Sequence, residues 1–70
     1  MNADDFKAWR KEMELSQSAA AKELGLSVDT LTNYEAGVRR DTGKPVLIPR
    51  YIALACAALK AGLKPLGQPL

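Results

Sequence analysis

Polar side chains crowd one short stretch, GLSVDTLTNYE, residues 25–35. Ser27, Asp29, Thr30, Thr32 and Asn33 supply hydrogen-bond donors and acceptors, and Val28 supplies an apolar contact. Their spacing puts them on one short helix whose exposed face is polar, uncharged or acidic, and carries no Lys or Arg. The chemistry of such a face is recognition by hydrogen bonding. Bond-making chemistry has no comparable set. There is no histidine, and Cys56 is the one cysteine. Glu12, Glu14, Glu23 and Glu35 are scattered acids that nothing pairs with a nucleophile or a metal. Histidine-dependent acid–base catalysis and the usual zinc sites are therefore excluded, and no cofactor is expected. The chain is not expected to be an enzyme.

The totals agree with a small binding module. Seventy residues make one domain, and its core must be thin, so oligomerisation is a plausible supplement. Hydrophobic residues are 47% of the chain, which fits a globular protein. Ten basic and eight acidic residues leave a net charge of +2, which permits nucleic-acid binding without requiring it. A lone cysteine excludes an internal disulfide and suits a reducing compartment. No apolar run approaches the ~20 residues that span a bilayer. The opening MNADDFKAWRKEM is charged throughout and does not read as a signal peptide, so the expected location is cytoplasmic.

Four helices must position the polar face, and no strand is convincing. The first covers roughly residues 3–13, with Phe6, Trp9 and Met13 as its apolar stripe. Asp4 and Asp5 lie in the first turn, and Lys7, Arg10 and Lys11 are expected to face water. Helical spacing makes Phe6 and Trp9 core residues rather than a stacking platform for bases. The second helix starts after a Ser16 cap, runs over residues 17–24 with Ala20, Ala21 and Leu24 buried, and stops at Gly25. The third starts after a Ser27 cap, runs over residues 28–36 with Leu31 and Tyr34 inward, and stops at Gly37. A long connection follows, with turn residues Asp41, Gly43 and Pro45 and the cations Arg39, Arg40 and Lys44. The fourth helix opens with Pro49 at its first position and continues to about residue 61. It is apolar on two faces, one with Ile52, Ala55, Cys56 and Leu59, the other with Tyr51, Leu54 and Ala58. The second face is therefore expected to meet another subunit. Cys56 reads as a small core filler. The Pro-rich tail, 63–70, should not be regular helix, though Leu63, Leu66 and Leu70 can still pack.

Two short helices joined by a tight Gly turn form a helix-turn-helix arrangement, with Ala21 four residues before Gly25 where the helices cross. An ordinary helical hairpin has the same core needs, but the small crossing residue and the Gly turn favour the former. LSQSAAAKELGLSVDTLTNYEAGVR resembles the phage Cro/C1-type (XRE-type) helix-turn-helix repressors. The residues that carry the likeness are Leu15, Ser16, Gln17, Ala21, Gly25, Tyr34, Glu35 and Gly37. It spans residues 6–39; the connection after Gly37 is longer than usual and the tail after Leu59 departs. The resemblance implies an all-α, four- to five-helix, lambda-repressor-like DNA-binding domain over residues 1–62, with the helix-turn-helix unit at 16–37 and a dimerisation helix at about 49–61.

The resemblance also implies that the third helix enters the major groove of double-stranded DNA. Gln17, Val28, Asp29, Thr30, Thr32 and Asn33 would then read bases. Asn suits adenine, Thr bonds either way, Val packs on the thymine methyl, and Asp accepts from a cytosine amine. Asp29 is equally well explained as a first-turn acid favoured by the helix dipole. Phosphate contacts fall to Ser16, Ser27, Arg39, Arg40 and Lys44, with Arg10 and Lys22 weaker; a merely solvated turn is the bland alternative for Arg39 and Arg40. Few cations mean modest monomer affinity, so a homodimer on an inverted-repeat operator is expected, joined through Tyr51, Leu54, Ala58, Leu63 and Leu66. The expected role is a repressor without a separate effector domain, of the phage-regulator, anti-defence autorepressor or antitoxin kind. The competing role is a protein-interaction module on the same scaffold, to which the acids Asp29 and Glu35 lend slight support.

Overall fold

The computed structural model describes residues 1–67. Its four helices are α1 (Ala3–Glu12), α2 (Gln17–Leu24), α3 (Val28–Ala36) and α4 (Arg50–Lys60). Local chemistry sets almost every boundary. Asn2 and Asp5 form a reciprocal capping box at the start of α1, Asn2 accepting from the Asp5 amide at 2.8 Å and donating from its own to the Asp5 carboxylate at 3.0 Å. Ser16 caps α2 through the Ala19 amide, and Ser27 caps α3 through the Thr30 amide, each at 3.1 Å. A cap of this kind is worth about 1 kcal/mol. Gly25 and Gly37 close α2 and α3 in the left-handed region, at φ +71° and +77°, where a side chain would be strained. At Gly37 an added Cβ would also sit 3.6 Å from Ala3 Cβ. Helix α4 differs by one residue from expectation. Pro49 is its N-cap with extended ψ, and Arg50 is the first helical residue.

The core gathers Phe6, Trp9, Ala20, Ala21, Leu31, Tyr34, Ile52 and Cys56. Phe6 lies at its centre, fully buried, with Trp9 at 5.6 Å and Tyr34 edge-on at 5.8 Å between ring centroids. Helix α3 packs on both α1 and α2, and α4 closes over α2. The Trp9 indole N–H donates 3.0 Å to the Cys56 carbonyl, a buried bond that ties α4 to α1 and satisfies the one polar atom of that ring. Burial pushes the Cys56 thiol up to about 11, which keeps it protonated and unreactive, a core filler as its neighbours imply.

The expectation that Arg10 faces water is overturned. Its side chain is mostly buried and reaches across the bundle to α3. The connection after Gly37 is also more ordered than a plain loop. Val38 and Pro45 form an isolated antiparallel bridge, Arg39 and Lys44 are joined by a 2.8 Å backbone bond, and the Val46 amide returns to the Gly37 carbonyl at 3.0 Å. This hairpin, residues 37–46, carries Val46 back onto the core. No named strand occurs among the described residues. Beyond α4, Leu63 donates back to the Ala58 carbonyl at 2.9 Å. Leu66 is fully exposed and packs on nothing in the protomer, and Leu70 lies outside the described residues.

Candidate nucleic-acid interface

Helix α3 is presented by its two ends. The Gly25 turn closes with the Leu26 amide on the Ala21 carbonyl at 2.8 Å and the Gly25 amide on the Lys22 carbonyl at 3.3 Å. That pairing turns the chain sharply, and the buried Ala20 and Ala21 let α2 and α3 approach closely. Leu31 and Tyr34 then fix α3 inward, so Val28 and Asp29 are exposed and Thr30, Thr32 and Asn33 are half-exposed.

The side chains of this face are not equally free. The Ser27 hydroxyl donates to Thr30 Oγ1 at 2.9 Å while accepting from the Thr30 amide. Thr30 therefore keeps its own O–H to donate outward. Thr32 donates back to the Asp29 carbonyl at 2.9 Å, so its oxygen is left to accept. The carbonyl oxygen of Asn33 accepts from the Arg40 amide at 3.3 Å. Ser16, like Ser27, is exposed and serves as a helix cap.

Behind this face lies a polar network linking three helices. Arg10 of α1 donates from Nε and Nη2 to the two oxygens of Glu35 on α3, and from Nη1 to the Leu15 carbonyl at 3.0 Å. Gln17, the first residue of α2, donates from Nε2 to Glu35 Oε1 at 3.2 Å. Burial pushes the Glu35 carboxyl up, but the hydrogen bonds from Arg10 and Gln17, with the charges of Arg10 and Lys7, outweigh it and hold the group below the ordinary glutamate range. Glu35 is therefore no surface acid, and it lends nothing to an acidic docking face. Arg10 is not a free cation either. One signal for its placement was present in the sequence: Arg10 is four residues after Phe6 and three before Met13, on the apolar stripe. Gln17 has its nitrogen engaged, and its amide oxygen remains to accept.

The cations expected to meet phosphate are exposed on the hairpin. Arg39 donates to Asp41 at 3.4 Å in a surface pair, the kind worth at most about 1 kcal/mol and readily exchanged for another anion. A shallow cleft of about 320 Å³ runs between α3 and the hairpin, lined by Asp29, Asn33, Arg39, Arg40 and Asp41. Of the residues expected to face bases and phosphates, the cleft brings together Asp29 and Asn33 of α3 with Arg39 and Arg40 of the hairpin; Val28, Thr30, Thr32 and Lys44 are not among its lining. Lys44 lies at the hairpin's return, its amide bonded to Thr42 Oγ1 at 3.3 Å. The residues expected at a subunit contact are on α4 and the tail: Tyr51, Leu54, Leu63 and Leu66 are exposed and Ala58 is half-buried. No group of acids, cysteines or histidines among the described residues could hold a metal ion. No described helix is long and apolar enough to cross a membrane.

A family model described as Helix-turn-helix matches residues 6–48, well over half of the chain. No curated protein and no solved structure gives a significant match. The matched region takes in α1, α2, α3 and the hairpin, the elements that build the exposed edge, and its kind is a DNA-binding regulatory domain rather than an enzymatic one. The chain belongs to the Cro/C1-type, or XRE, helix-turn-helix family of DNA-binding regulators.

Proposed function

We propose that the protein is a sequence-specific transcriptional repressor that acts as a homodimer on an inverted-repeat operator. The observation that carries this reading is the shared edge of α3 and the hairpin, where a polar helix face without Lys or Arg, Asp29 its one exposed acid, adjoins exposed Arg39 and Arg40. The division suits DNA. Base edges are read by neutral donors and acceptors, and charge is needed only where the phosphates lie. Val28, Asp29, Thr30 and Thr32 are the proposed base-facing residues, with Gln17 offering its free oxygen from the start of α2. Ser16, Ser27, Arg39, Arg40 and Lys44 are the proposed backbone contacts. Repression follows from occupancy of the operator, and the gene's own promoter is the first place to look for one.

Selection from a random-sequence DNA pool at about 0.15 M salt tests this. The expected product is an inverted repeat with half-site centres about 10 base pairs, or one further turn, apart. Arg39→Gln with Arg40→Gln should weaken binding to every sequence and reduce the slope of log affinity on log salt by about 1.8, at about 0.9 per lost phosphate contact. A pool that enriches nothing would overturn the specific-operator reading, and an unchanged salt slope would remove the hairpin from the interface.

A further inference from the structure

Asn33 stands at a base-facing register of α3, yet its side chain is committed sideways. Its amide oxygen accepts from the Arg40 backbone N–H at 3.3 Å. The orientation of the amide follows from chemistry, because a backbone N–H can be met only by the oxygen of an Asn side chain. Reading adenine in the major groove requires an Asn to accept and donate at once, to N6 and N7. With its oxygen turned to the Arg40 amide, Asn33 is aimed at the hairpin, and squaring both amide groups to an adenine edge would break that bond.

The other end of this bond lies in the hairpin that carries the arginines. Three backbone bonds give the hairpin its internal shape and root it at Gly37: Arg39 to Lys44, Gly43 to Arg39, and Val46 to Gly37. None of them fixes the Arg39–Arg40 segment against α3. Among the described residues, the Asn33–Arg40 bond is the one hydrogen bond from an α3 side chain to the hairpin, and both residues line the cleft between the two elements.

We infer that Asn33 is a positioning residue rather than an adenine reader: it pins the Arg39–Arg40 segment to the reading helix, so that the phosphate contacts keep a fixed register to the base contacts. This rests on the proposed function above, in which α3 and the hairpin share one duplex. In that role Asn33 sets affinity for all DNA, and sequence choice belongs to its neighbours on α3.

Two substitutions in the full chain test it. Asn33→Ala removes the acceptor, while Asn33→Asp retains one. Amide exchange measured by NMR on the free protein should be about five-fold faster at Arg40 in Asn33→Ala, the size of one net hydrogen bond, and unchanged in Asn33→Asp. Asn33→Ala should weaken binding to a selected site and to an unrelated duplex by the same factor. It should also flatten the salt slope by about one while leaving the selected base preferences as they were. Simple destabilisation would accelerate exchange across the core instead. Unchanged Arg40 exchange in Asn33→Ala would overturn the inference. So would loss of preference at one base pair with affinity for unrelated DNA intact. If the unaltered chain binds no duplex, the proposed function fails by itself, and Arg40 exchange still decides whether Asn33 pins the hairpin.

Discussion

Glu14 shows how a single residue can stand against the local grain of a fold. It sits at φ 56°, the one non-Gly residue with positive φ among those described. Its amide bonds the Lys11 carbonyl at 3.0 Å and the Leu15 amide bonds the Arg10 carbonyl at 3.1 Å, the same closing pattern that Gly25 provides for α2. An L-residue in this conformation costs about 1–2 kcal/mol, and the side chain is exposed, so its loss removes no packing. Glu14→Gly should stabilise the fold by roughly 0.5–1 kcal/mol after the extra entropy that glycine gives the unfolded chain. Thermal denaturation should show Tm raised by about 4 °C in a domain of this size. A lowered Tm would mean that the Glu14 side chain makes a favourable contact of its own. The position could not be read from the sequence, where Glu14 is simply one more charged residue after a helix; only the need to turn directly into Leu15 and the Ser16 cap forces φ positive.

Between elements, the Arg10–Glu35–Gln17 network joins α1, α2 and α3 behind the reading face. Replacing Arg10 by Leu leaves the Glu35 carboxylate buried with Gln17 as its remaining side-chain donor, and should cost about 3 kcal/mol, much of what so small a domain has. Changing both residues to Leu should recover most of that loss. The pH dependence gives a sharper test. Glu35 titrates below its ordinary value of 4.5, so its pairing contributes stability above that pH and loses it as pH falls through the lowered value. In Arg10→Leu burial prevails and raises the Glu35 carboxyl, so that variant should gain stability relative to the native chain as pH falls from 7 to 4. Urea unfolding at both pH values reads the sign directly. Parallel losses in the two proteins would show that Arg10 does not govern the titration. The contrast with the helix boundaries is instructive. Ser16, Ser27, Gly25 and Gly37 act within a turn of where they stand, so the limits of α2 and α3 were legible in the sequence, and the Asn2–Asp5 box could have been read the same way. The partners of Arg10 are 25 and five residues away, and that of Asn33 is across a helix end. Those pairings exist only once the core has set the helices together. Periodicity placed the elements, but it could not say which polar side chains the packed elements would spend on one another.

At the scale of the whole molecule, the surface divides into a polar edge on α3 and the hairpin and an apolar one on α4 and the tail. Tyr51, Leu54 and Leu63 are 66%, 57% and 61% exposed. With a net charge of only +2, one copy can neutralise few phosphates, and a second copy joined through the apolar edge would double them while fixing the distance between two reading helices. Leu54 isolates that proposal because it is largely solvent-facing on a helix that Ile52, Cys56 and Leu59 already anchor. Leu54→Gln should therefore change folding stability by no more than about 0.5 kcal/mol. In a two-fold interface the substitution occurs twice, removing about 1 kcal/mol of apolar burial per copy, so dimer dissociation should rise roughly thirty-fold. Light scattering across micromolar concentrations should show dimer for the native chain and monomer for Leu54→Gln. Binding to an inverted repeat should weaken, while binding to an isolated half-site should not change. A native chain that stays monomeric both free and on DNA would remove the homodimer and leave α4 as a closing helix only; a Leu54→Gln chain that still dimerises would move the interface to another part of the surface.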